Sequence, residues 1–87
     1  MKIKFPIFIQ YPKQYKMLME YLDEHTSIIW VEGQIPSDYT PRCFPGTPVY
    51  ICLSKRRSEK GRLFYKTKAE FERNPYDAEE IEIEVID

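Results

Sequence analysis

Residues 47–67, TPVYICLSKRRSEKGRLFYKT, hold two apolar runs joined by a charged turn that carries one glycine. Val49, Ile51 and Leu53 alternate with Tyr50, Cys52 and Ser54, and on the return Leu63 and Tyr65 alternate with Arg62, Phe64 and Lys66. A period of two is the repeat of a strand that buries one face, so the stretch predicts a β-hairpin. The other apolar segments are then read as what covers this sheet.

On the N-terminal side, Lys2 to Gln10 alternates Ile3, Phe5, Ile7 and Ile9 with Lys2, Lys4, Pro6 and Phe8, a first strand. Pro6 has no N–H to give to a ladder, which places this strand at an edge or leaves position 6 unpaired. Pro12 then suits the first turn of a helix, and Tyr15, Leu18, Met19 and Leu22 fall at i, i+3, i+4 and i+7. An amphipathic helix is expected from Pro12 to Glu24, with Met17 and Tyr21 widening its apolar face. Ser27 to Val31, β-branched and aromatic and closed by Gly33, reads as a second strand, parallel to the first through a right-handed crossover. From Gln34 to Pro48 there are four prolines and no apolar period, but also Ile35, Tyr39, Cys43 and Phe44; a long ordered loop is predicted, turning at Pro45-Gly46.

On the C-terminal side, Thr67-Lys68-Ala69-Glu70 fits the capping box, in which hydroxyl and carboxylate satisfy the first free amides of a helix reciprocally. Pro75 disfavours helical geometry at Asn74, so that helix should end near Arg73. Ile81, Ile83 and Val85 alternate with Glu80, Glu82 and Glu84 to give a last strand with one apolar and one acidic face. The reading is a single α+β domain over residues 1–87, in the order β-α-β-β-β-α-β. Its sheet is mostly antiparallel, of four to five strands, with one main helix packed on a face.

Composition agrees with a globular chain: 87 residues, 43% hydrophobic and 31% charged, enough to bury about 60–65% of the unfolded surface around one core. The net charge of −1 hides an asymmetry. Lys2, Lys4, Lys13 and Lys16 stand without an acid in the first sixteen residues, and residues 77–87 contain six acids and no base. Terminal strands lying side by side would set these charges against each other. The apolar stretch Phe5 to Ile9 is too short for a signal peptide or a membrane span, which leads to an expectation of a cytoplasmic protein. Cys43 and Cys52 match no zinc or redox spacing and are read as free thiols.

Chemistry-bearing patterns are few. His25 closes the first helix with no cysteine or second histidine to make a metal site or a dyad. Glu79, Glu80, Glu82 and Glu84 read as a solvated strand face, and Ser37, Asp38 and Thr40 fit no nucleophile motif. With three glycines there is no phosphate-cradling loop. Neither an enzyme nor a cofactor is expected. Two binding surfaces remain. Lys55, Arg56, Arg57, Lys60 and Arg62 against Glu59, with Tyr50, Phe64 and Tyr65 nearby, mix cations with stacking platforms and suit nucleic acid or a nucleotide; they also suit an ordinary soluble turn. The proline loop offers Tyr39, Arg42 and Phe44, residue types enriched at interface hot spots, unless Phe44, like Trp30, completes the core. The loop is favoured, because its length needs a reason.

The helix ending Tyr21-Leu22-Asp23-Glu24-His25, the run Ile29-Trp30-Val31-Glu32-Gly33, the proline-rich loop, the hairpin and the acidic final strand together resemble small uncharacterised proteins of bacteriophages and prophages. That resemblance implies a small binding protein that inhibits or redirects a host factor in the host cytoplasm, or counters host defence by binding a protein or a signalling nucleotide; a monomer or homodimer is expected. The resemblance carries over no catalytic residue.

Overall fold

The computed structural model describes residues 2–74 and 80–85. Five strands and two α-helices follow in the order β1 (Lys2–Phe5), β2 (Ile7–Ile9), α1 (Pro12–His25), β3 (Val49–Leu53), β4 (Leu63–Thr67), α2 (Lys68–Arg73) and β5 (Ile81–Glu84). All strand pairs are antiparallel, and the class is α+β. The expected single sheet is two. β1 pairs with β5, whereas β2, β3 and β4 form a separate sheet in that order. The division falls at Pro6, after a cis Phe5–Pro6 bond. Because proline supplies no ladder donor, the run 2–10 breaks into two strands that serve different sheets.

The hairpin is built as its alternation requires. Val49, Ile51 and Leu53 lie opposite Thr67, Tyr65 and Leu63, and the four aliphatic residues among them are buried. Against them α1 lays Tyr15, Met19 and Leu22, all buried; Leu18 is half-buried at the margin, and Met17, 62% exposed, lies off the apolar face. The helix opens with Pro12 at its first position, and the Gln14 side-chain carbonyl accepts from the Tyr11 N–H at 3.0 Å, satisfying an amide the helix leaves free.

The second expected strand shrinks to a single parallel bridge between Trp30 and Leu63. Leu63 donates to the Ile29 carbonyl at 2.8 Å and Val31 to the Leu63 carbonyl at 2.9 Å. The chain then reverses at Gly33, whose φ of 100° favours glycine. Trp30 donates to the Gln34 carbonyl, and the pairing stops after one rung. This segment runs in the direction of β2, with β3 and β4 between them.

β1 and β5 meet as the terminal charges predict. Lys2 faces Glu84 and Lys4 faces Glu82 in register; the ion pairs run diagonally, Lys2 to Glu82 at 3.6 Å and Lys4 to Glu80 at 3.3 Å. Phe5 and Val85 are buried, while Ile81 and Ile83 are only half-buried on the same face. α2 carries the predicted capping box, Thr67 Oγ1 accepting from the Glu70 N–H at 3.2 Å, and stacks Phe71 on Tyr50 with centroids 4.0 Å apart. It ends at Arg73 as expected; Pro75 and Glu79 lie outside the described residues.

Candidate functional site

The proline loop faces inward. Pro36 and Pro41 are buried, the Trp30 indole donates to the Pro36 carbonyl at 3.1 Å, and the Tyr15 hydroxyl donates to the Tyr39 carbonyl. Ser37 donates its N–H to the Asp23 carboxylate at 3.2 Å, tying the loop to α1. Phe44, expected on a contact surface, is 7% exposed and packs on Tyr15 with centroids 5.3 Å apart. It is a core residue, because a β-poor, proline-rich segment this long needs apolar anchors of its own to stay on the body of the domain. Tyr39 is half-buried against Trp30, centroids 4.7 Å apart, and of the three only Arg42 is exposed. Packing anchors the loop through Pro36, Pro41 and Phe44, while Ile35, 48% exposed, and Arg42 stay on its outer side.

The hairpin tip is the surface that gains from folding. At its base Ser54 donates to the Arg62 carbonyl and accepts from Gly61, both at 2.9 Å. Its buried hydroxyl accepts from the Arg56 N–H at 3.2 Å. Glu59 donates to the Arg56 carbonyl at 2.9 Å and Arg62 to the Glu59 carbonyl at 3.0 Å, so the tip is internally hydrogen-bonded along its length. Gly61 sits at φ 80°, a conformation that a side chain would strain.

Between this tip and β5 runs a groove of about 700 Å³. Leu53, Ile81 and Ile83 supply its apolar lining, and Lys55, Arg57 and Lys60 bring three cations to it. Its size is in the range of small-ligand and hot-spot pockets, and its chemistry is divided, aliphatic on one part and basic on another. The five tip cations therefore separate. Arg56 is exposed but does not line the groove. Arg62 is half-buried and turns back to the Val31 carbonyl at 3.4 Å. Two of the aromatic platforms, Tyr50 and Tyr65, are engaged by other rings. Tyr50 is covered by Phe71 on β3's outer face and also meets Phe8 at 5.0 Å, while Tyr65 leans toward Tyr39.

Leu53, Ile81 and Ile83 line the groove and are not among the site residues read from the sequence. Their alternation marked them as apolar, but only tertiary pairing brings β5 beside the tip. Burial pushes the Cys52 thiol up to about 12, and desolvation raises the Tyr15 and Tyr65 phenols. The His25 ring packs on Tyr21 with centroids 4.5 Å apart. Among the described residues no group of three or more His, Cys, Asp or Glu side chains is placed to hold a metal ion, and no helix is long and apolar enough to cross a membrane.

Comparison with known proteins finds no match: no family model, no curated protein and no solved structure is similar to the chain.

Proposed function

We propose that this is a non-enzymatic binding protein that docks an acidic, amphipathic segment of a protein partner in the groove between the hairpin tip and β5. The observation that carries the reading is the juxtaposition of Leu53, Ile81 and Ile83 with Lys55, Arg57 and Lys60 in one concavity. Aliphatic side chains of the partner would leave water against the first set, while its carboxylates meet Arg57 and Lys60; apolar anchors in a pocket with charges at the border are how small interfaces concentrate their energy. Nucleic acid is the second reading, favoured by the four-to-one excess of cations over acids among residues 55–60. It ranks lower because the groove offers aliphatic rather than aromatic contacts. The resemblance to small phage and prophage proteins adds the proposal that the partner is a host factor. Two free thiols, one of them buried, support a reducing compartment such as the cytoplasm.

Fluorescence polarisation tests the reading with three labelled probes of equal net charge. They are a peptide alternating glutamate with leucine, a peptide with serine replacing each leucine, and a single-stranded oligonucleotide. The alternating peptide should bind tightest and lose at least tenfold affinity to the double variant Arg57→Glu/Lys60→Glu. Equal binding of the two peptides would remove the role of the apolar lining, and preference for the oligonucleotide would establish the second reading instead.

A further inference from the structure

The groove between the hairpin tip and β5 holds both halves of a site for a small amphiphile. Ile81 and Ile83 stand on one face of β5, about 7 Å apart along the strand, and Leu53 adds to the aliphatic lining. Arg57 and Lys60, both exposed, border it, and neither side chain makes an ion pair or hydrogen bond with another described residue. The amides of Arg56, Glu59, Gly61 and Arg62 already donate within the turn. They are not available to a ligand, so an anion in the groove is met by side-chain cations and not by the nest of backbone N–H groups on which phosphate sites rely. Two side-chain cations and no such nest suit a singly charged carboxylate.

We propose that this groove binds a linear aliphatic carboxylate of about six to eight carbons, its chain along Ile81, Ile83 and Leu53 and its head at Arg57 and Lys60, and that this ligand competes with the protein segment for the surface. The inference rests on the same groove as the proposed function and assigns it a regulator. The length follows from the lining: at roughly 1.3 Å of advance per methylene, from a C–C bond near 1.5 Å, about six methylenes cover the run from Ile81 to Ile83. A shorter acid has the charge but frees little water from the isoleucines, and the same chain with a cationic head is repelled by the tip. Full burial of a methylene multiplies affinity about fourfold. A chain in a groove keeps one side in water, so about twofold per methylene is expected here.

Octanoate, butanoate and octyltrimethylammonium are titrated into the protein at constant ionic strength while backbone amide shifts are followed by NMR. Octanoate should move the amides of residues 53–61 and 81–83 saturably and leave those of α1 in place. Butanoate, four methylenes shorter, should need about fifteenfold higher concentration, and octyltrimethylammonium should not saturate. In Arg57→Gln/Lys60→Gln, two exposed positions where the fold is not at stake, octanoate should bind about tenfold more weakly. In Ile83→Thr, which keeps the branched shape, the advantage of octanoate over butanoate should narrow. Octanoate should also displace the labelled glutamate–leucine peptide over the range in which it moves the groove amides. Groove binding of octanoate to a protein that does not bind the peptide upholds the ligand and overturns only the partner proposed above. Peptide binding with no groove shifts from octanoate, groove shifts without displacement of a bound peptide, an equal response to octyltrimethylammonium, or shifts scattered over α1 and the proline loop overturns the present proposal.

Discussion

Replacing Leu22 by alanine tests how α1 is seated. The side chain is fully buried among the β-sheet aliphatics and Met19. Truncation removes the equivalent of three methylenes, about 2.4 kcal/mol at roughly 0.8 kcal/mol each. A cavity term follows, moderated because Met19, one turn earlier and unbranched, can lean into the space. The total expected is about 3 kcal/mol, a large share of the roughly 4–13 kcal/mol that a domain of this length holds. At about 4–8 °C per kcal/mol the melting temperature should fall on the order of 12–24 °C. Leu18→Ala, at a half-buried position, should cost about 1 kcal/mol, and Met17→Ala should fall within about 0.5 kcal/mol of wild type. Urea unfolding followed through Trp30 measures all three, with an unchanged slope as the sign that only stability has moved. If Leu18→Ala costs as much as Leu22→Ala, the helix is rotated from the seat described, and the burial argument fails with it.

Alkaline pH should destabilise the fold. The Cys52 thiol and the Tyr15 and Tyr65 phenols are all raised in the folded state by desolvation, so the unfolded chain loses these protons first. Stability that is whole below pH ~9 should therefore fall as pH rises toward 12, measured by urea midpoints at successive pH values; a midpoint that holds through pH 11 would contradict the burial of these groups. Cys52 should resist alkylation in the native protein and react once unfolded, while half-buried Cys43 reacts first. Thr67→Ala should cost about 1 kcal/mol by removing the cap of α2, read as a drop in melting temperature. Raising salt should lower the urea midpoint slightly, because the Lys2–Glu82 and Lys4–Glu80 pairs are exposed; the effect should vanish in Lys2→Gln/Lys4→Gln.

What could be read ahead of the structure was local. The hairpin, α1, the capping box at Thr67 and the acid-faced last strand each follow from a period or a spacing within a dozen residues. Even the pairing of the chain ends was foreshadowed, because the lysines of one and the glutamates of the other left a charge signal. The failures are non-local. Pro6 announced a gap in a ladder but not that two sheets part there, and Gly33 announced a turn but not that Trp30 would keep only one rung with Leu63. Phe44 reads equally well as a hot spot or an anchor until Tyr15 is found against it. The groove is made by side chains up to thirty residues apart, and the basic tip was legible only as charge, without the aliphatic residues that line the groove beside it.

The way β1 and β5 meet also fixes how the domain would respond to force. Lys2 and Glu84 are partners at one end of the ladder, and Phe5 and Ile81 are partners at the other. Tension applied at residues 2 and 84 loads the hydrogen bonds one rung at a time, so the pair peels like a zipper instead of resisting in shear. Peeling reaches Phe5 and Pro6 before any bond of the three-stranded sheet is stretched, and it carries Ile81 and Ile83 away from Leu53 as it goes. The groove would therefore be the first part of the molecule to open under load, while the hairpin that began as its framework stays folded behind it.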